Sequence, residues 1–172
     1  LASGSRSRST KPLIESRETD MRYVNVWNRE RAEEVLEIGR GIEIPVVISI
    51  TQPGDPANIL FPHKDIIRLE FHDYLEDPMI DGFDAVMFDE VRAVDLFRFI
   101  MKHHKENFFV HCDAGVSRSV AVGKFISDMH GHELGLHQTN GSCAAQNTRV
   151  VRMLNRIVWR LSYGGIDINF EE

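Results

Sequence analysis

From Met21 onward, the apolar positions of the chain switch repeatedly between a period of two and a period near 3.6. Tyr23–Trp27 reads as a short strand, and Asn28 caps a predicted helix with Ala32, Val35 and Leu36 on one face, ended by Gly39. Pro45 introduces Val46–Ile50, a β-branched run of the kind found in buried strands. TQPGDP is turn chemistry, and Ile66–Phe71 reads as a further strand, followed by the acidic loop HDYLEDPMIDGFD. A helix is predicted from about Phe88 to His104, with Val91, Val94, Phe97 and Met101 at helical spacing. Phe108–His111 is the next strand. It runs through CDAGVSRS into a helix with Val122, Phe125, Ile126 and Met129 on one face. The stretch HGHELGLHQTNGS reads as a connector to a last helix carrying Leu154, Ile157, Val158 and Leu161. Strands separated by helices predict an α/β fold: a central, mostly parallel sheet of four to five strands flanked by helices on both faces.

Residues 1–20 break this pattern. LASGSRSRST is Ser/Arg-rich and KPLIESRETD adds only Leu13 and Ile14, too little apolar surface to offset the entropy of ordering. They are expected to be a flexible tail ahead of a natural start at Met21, leaving residues 21–172 as one domain. With 172 residues, 42% hydrophobic and 27% charged, a single core is the expectation. A net charge of −6 disfavours a nucleic-acid partner. No apolar run has the length of a membrane span, and no membrane partner is expected. Two cysteines are too few for a disulfide framework, which fits a reducing, cytoplasmic compartment.

The segment His111–Ser119, HCDAGVSRS, carries the candidate chemistry. A loop between a strand and a helix N-terminus turns backbone N–H groups towards an anion. Gly115 permits the tight turn, and Arg118, in the first turn of the helix, has a planar fork suited to two phosphate oxygens. Cys112 stands in the middle of these donors, and surroundings that bind an oxyanion also stabilise a thiolate. Ser119 is placed to donate its hydroxyl to that thiolate or to satisfy backbone at the helix start; the two are compatible. His111 is expected to lie buried in the strand, bonded to backbone, rather than to act as a base.

The sequence VHCDAGVSRS resembles the signature of the protein tyrosine phosphatase superfamily: His-Cys, five residues, Arg, then Ser or Thr. The AG-x-SRS form is most similar to the dual-specificity branch and its small bacterial and phage relatives, over about Pro45 to Leu161. The resemblance implies a cysteine-phosphatase fold and hydrolysis of phosphomonoesters on proteins, with neither metal nor other cofactor. Cys112 would attack phosphorus to form a cysteinyl phosphate, Arg118 and the loop residues Asp113, Ala114, Gly115, Val116 and Ser117 would bind the phosphate, and Ser119 would assist breakdown.

It also implies an aspartate as general acid, and Asp73, Asp77 and Asp81 are the candidates. Spacing to Cys112 favours Asp77 or Asp81, both natural turn residues, whereas position at the end of a parallel strand favours Asp73 in an F-x-D pattern, Phe71-His72-Asp73. The loop has no lysine to meet additional phosphates, so the expected partner is a phosphorylated protein or peptide rather than an inositide or a triphosphate RNA end. The chain lacks the WPD loop and the aromatic phosphotyrosine-recognition motif of the large tyrosine-specific enzymes. Phosphotyrosine is expected, with phosphoserine and phosphothreonine left open. A non-catalytic phosphopeptide-binding module on the same fold, and a rhodanese-type sulfurtransferase, are the alternatives.

Other polar features take simpler readings. His132 and His137 in HELGLH are five apart, not the four that a zinc helix needs, so His130, His132 and His137 read as solvated loop residues. His103 and His104 close a helix at its negative end. Asn140, in NGS, reads as a turn, and Asn147 as a helix cap or as the counterpart of a family asparagine near the phosphate loop. Cys143 is a candidate disulfide partner for an oxidised Cys112.

Overall fold

A β-branched run without a polar break forms a strand covered on both faces, and all six residues of Val46–Thr51 are buried. In the computed structural model, which describes residues 21–34, 43–76 and 84–164, this segment is β2 of a five-stranded sheet. The other strands are β1 (Tyr23–Asn28), β3 (Ile66–Glu70), β4 (Phe108–Cys112) and β5 (Glu133–Leu136). Their order is β3-β2-β4-β1-β5 and every pairing is parallel. The described helices are α1 (Arg29–Glu33), α2 (Glu90–Lys102), α3 (Arg118–His130) and α4 (Thr148–Ser162). The chain is thus an α/β fold around a parallel sheet.

Alternation along the strands sends side chains to two cores. Val26, Ile48 and Val110 join the larger one, with Leu96 of α2, Ile126 of α3 and Leu154 of α4. Val47 and Phe109 point the other way and pack on Ala32 of α1 and Phe61 of the loop after β2. Helix α3 lies tight on the sheet: a Cβ at Gly123 would come 2.5 Å from Val26 Cγ2.

Three expectations about elements change. Residues 133–136, taken as connector, form the edge strand β5 against β1. Only four residues long and no more than partly buried, it lacks the apolar run that marks a central strand. In α2 the buried face is Ala93, Leu96, Phe97 and Ile100, while Val91 is 68% exposed. That helix has apolar residues on more than one face, and packing against α4 and β3 selects which is buried. Helix α1 is capped by Asn28, whose side chain accepts from Arg31 N, and it ends at Glu33, where Glu34 turns to extended backbone, short of the predicted end at Gly39; Val35, Leu36 and Gly39 themselves lie outside the described residues, as do residues 1–20. Among the described residues no helix is long and apolar enough to cross a membrane.

Among the described strands the chain reverses its direction of progress across the sheet between β1 and β4. Adjacent strands β1 and β4 pair Asn28 with Cys112 at their carboxyl ends. α1 leaves β1 on one face and α3 leaves β4 on the other. Where neighbouring connections part in this way, the carboxyl edge of a parallel sheet opens into a binding crevice. Cys112 is the last residue of β4, at that opening.

Candidate active site

The loop from Cys112 to Arg118 rests on the end of β1. Arg29 N donates to Asp113 O at 3.1 Å, and Gly115 takes φ +71° directly above the Trp27–Asn28 peptide. A Cβ at Gly115 would stand 2.7 Å from Asn28 N and from Trp27 C. Both the left-handed backbone and the close approach exclude a side chain. Gly115→Ala is expected to cost about 2 kcal/mol or more of stability and to displace the loop, read as a lowered urea midpoint together with weakened binding of inorganic phosphate.

Cys112 is 2% exposed and Arg118 3%, so both are buried, and Cys112 packs into the larger core. The sulfur sits 3.0 Å from the Ser119 hydroxyl, within hydrogen-bonding distance. Among the described residues, the backbone N–H groups of Ala114, Gly115, Val116 and Ser117 meet no acceptor. Ser117 occupies the N-cap of α3 but does not cap it. Its hydroxyl donates instead to Asp73 Oδ1 at 2.8 Å. The first turn of α3 therefore keeps its own donors, which is the requirement for an anion cradle.

The Arg118 guanidinium is held rather than loose. Nη1 donates to Phe71 O at 2.7 Å, Nη2 pairs with the Asp113 carboxylate, and the group lies 5.8 Å from the Phe71 ring centre. Two of its five N–H donors are thereby committed. Nε is buried with no partner, 4.0 Å from Asp73 Oδ2. A buried donor without an acceptor is costly, and an oxyanion over the loop would satisfy it.

Asp73 comes to this loop from the segment after β3. Its Oδ1 accepts from Ser117 Oγ and, at 2.7 Å, from Asn147 Nδ2. Asn147 also accepts from Val150 N through its side chain and donates its own N–H to Ser117 O at 3.2 Å. Both sequence readings of Asn147, helix cap and neighbour of the loop, therefore hold. Two donors thus meet Oδ1, whereas Oδ2 accepts no hydrogen bond among the described residues. The Asp73 side chain is 34% exposed, beside the buried Arg118. Asp77 and Asp81 lie outside the described residues.

No known family model and no curated protein matches the chain.

Two partners of Arg118 were not legible as such. Asp113 is expected from the resemblance as a phosphate-binding loop residue, yet its side chain fixes the guanidinium, and Phe71 contributes a carbonyl and a ring. An acid one residue after the cysteine, five before the arginine, is the signal that was available. Asp113→Ala is expected to weaken binding of inorganic phosphate about tenfold, since a charge-assisted bond holding a buried group contributes ~1.5 kcal/mol or more; calorimetry measures it.

The histidines differ from expectation. His111 is fully buried but bonds a side chain, with Nε2 2.8 Å from Ser49 Oγ, because register sets Ser49 beside it on β2. Burial pushes its pKa down to about 4, so it is neutral at pH 7 and no base. A histidine held neutral in the fold but ordinary when unfolded contributes stability above about pH 6.5 that is lost as pH falls towards 4. Unfolding free energy is expected to fall by up to ~3 kcal/mol over that window, and urea titrations of His111→Asn should show a flatter dependence.

Of the three connector histidines His137 is exposed, as expected, whereas His132 is buried and His130 is half-buried at the end of α3. His132 is buried with Nε2 2.9 Å from Glu106 O, His130 packs between His104 and His132, and His137 stacks on Trp27 at 3.6 Å. Strand β5 draws its flanks onto the sheet, which open-loop reasoning misses. No group of three His, Cys, Asp or Glu among the described residues has metal-holding geometry. His104 Nδ1 meets the carbonyl of Met101 at the end of α2, whereas the His103 ring turns to Asp65 at 2.9 Å. Asn140 takes φ 50° in a turn, and Cys143 is free and half-buried.

Proposed function

We propose that the chain is a cysteine-dependent phosphomonoesterase of the protein tyrosine phosphatase type, acting on phosphorylated protein side chains. The observation that carries this reading is the convergence of Asp73 on the Cys112 loop: Ser117 and Asn147 both grip its Oδ1, which leaves Oδ2 beside Arg118 Nε. A nucleophile, an oxyanion holder and a proton carrier then share one crevice.

The steps follow from these groups. The Cys112 thiolate attacks phosphorus while Arg118 and the loop N–H groups take up charge on the equatorial oxygens. The phosphorus–oxygen bond to substrate breaks, and the leaving oxygen takes the proton from Asp73 Oδ2. Water then loses a proton to the Asp73 carboxylate and attacks phosphorus. The sulfur–phosphorus bond breaks, and the Ser119 hydroxyl stabilises the departing thiolate. Asp73 ends protonated and Cys112 ionised, so the cycle closes.

A loop with no lysine, and with the Asp113 and Asp73 carboxylates beside its arginine, supports a singly phosphorylated group rather than a polyphosphorylated one. Phosphotyrosine is the proposed substrate, with phosphoserine and phosphothreonine as the comparison. Incubation with an aryl phosphate followed by acid quench and mass spectrometry tests the reading. A phosphoryl adduct on Cys112, with release of the phenol, is the expected result. Intact protein that releases no phenol and carries no adduct overturns it.

A further inference from the structure

Helix α4 carries Arg149, Arg152, Arg156 and Arg160 and no acidic residue, in a chain of net charge −6. Two of the four are used within the fold. Arg149 Nε donates to Phe88 O at 2.9 Å, and Arg160 pairs with Glu90. Arg152 and Arg156 are exposed and pair with no acidic group among the described residues. Positions 152, 156, 159 and 163 share one side of a helix, since steps of four, three and four nearly complete whole turns. That side lies away from Val150, Leu154 and Ile157, which face the core. Trp159 is 61% and Tyr163 74% exposed, with ring centres 5.1 Å apart. The outer face of α4 is thus a stripe of two arginines and two touching aromatic rings.

We propose that this stripe docks an acidic segment of a partner protein, seating one of its aromatic or aliphatic side chains against Trp159 and Tyr163. Arginine, tryptophan and tyrosine are the residue types that dominate binding energy at protein interfaces, and a ring pair beside unpaired guanidiniums matches an apolar side chain flanked by carboxylates. An anionic membrane is the weaker fit: each basic side chain near such a surface contributes only about a fivefold gain, and the rest of the molecule is repelled. A nucleic acid needs more phosphate neutralisation than two arginines supply. The stripe begins about 8 Å along the helix axis from Asn147, which touches Asp73, and reaches about 24 Å. A partner docked there lies within a few residues' reach of the crevice, although the docking itself does not depend on what the crevice does.

Fluorescence anisotropy of the full chain with a fluorescein-labelled, glutamate-rich peptide containing leucine and tyrosine tests the proposal. The expected result is saturable binding, weakened about thirtyfold by Trp159→Ala and by the pair Arg152→Glu and Arg156→Glu. The same variants should keep the parent's thermal midpoint and its turnover of an aryl phosphate. A peptide with lysine in place of glutamate should not bind. Four outcomes overturn it: no binding of the acidic peptide, equal binding of the lysine peptide, indifference to the substitutions, or selective binding of phosphatidylserine vesicles or polyuridine instead. Self-association of the chain that Trp159→Ala abolishes, seen by sedimentation velocity, overturns it as well, because a second copy then covers the stripe.

Discussion

Cys112→Ser is expected to abolish turnover of an aryl phosphate, a fall of roughly 10⁴-fold or more, the scale on which removing a nucleophile acts. The exchange replaces sulfur by oxygen and preserves the contact with Ser119, 3.0 Å away in the parent. The hydroxyl does not ionise near neutral pH, so no nucleophile remains. The cradle is untouched: Arg118 keeps Asp113 and Phe71 O, and Gly115 keeps its seat on β1. The variant should therefore bind inorganic phosphate and a phosphopeptide as the parent does, measured by calorimetry, with kcat at background. Residual turnover within tenfold of the parent assigns the nucleophile elsewhere. Because a catalytically dead protein is expected to keep its ligand, the same variant would capture the phosphoprotein proposed as substrate.

Asp73→Asn is expected to lower kcat by ~10²–10⁴, the usual worth of a positioned proton donor. The amide preserves the shape of the group but can neither give up nor accept the proton that the two half-reactions exchange. The size of the effect should track the leaving group. A nitrophenolate departs without a proton, so its substrate should lose least, whereas an alkyl phosphate such as phosphoserine should lose most. That gradient separates acid catalysis from simple damage to the loop, which would slow every substrate alike. Asp77→Asn and Asp81→Asn are expected to change kcat less than threefold. A larger loss at either, or a uniform loss at Asp73, moves the acid away from the position at the end of β3.

The loop itself was legible because it is contiguous. Cys112, Gly115, Arg118 and Ser119 lie within eight residues, between an apolar strand and a helix with a clear stripe. Their mutual placement follows from strand–loop–helix geometry with little help from the rest of the fold. The buried strand β2 and the core faces of α3 and α4 were readable for the same reason: Phe125, Ile126, Leu154 and Ile157 repeat at helical spacing and are buried. Helix α2 shows the limit. Its apolar residues support more than one face, and only contact with α4 and β3 buries Leu96 and Ile100 while leaving Val91 exposed.

What the amino-acid order determined by itself was local: the α/β alternation, the loop between β4 and α3, and the identity of a cysteine and an arginine within it. What tertiary structure decided was every pairing across distance. Asp73 joins Ser117 and Asn147, Asp113 turns its side chain onto Arg118, His111 finds Ser49, and residues 133–136 become an edge strand. Periodicity encodes which side of an element is apolar but not which elements become neighbours. That choice is made by the order β3-β2-β4-β1-β5 and its parallel register, through the burial of whole faces.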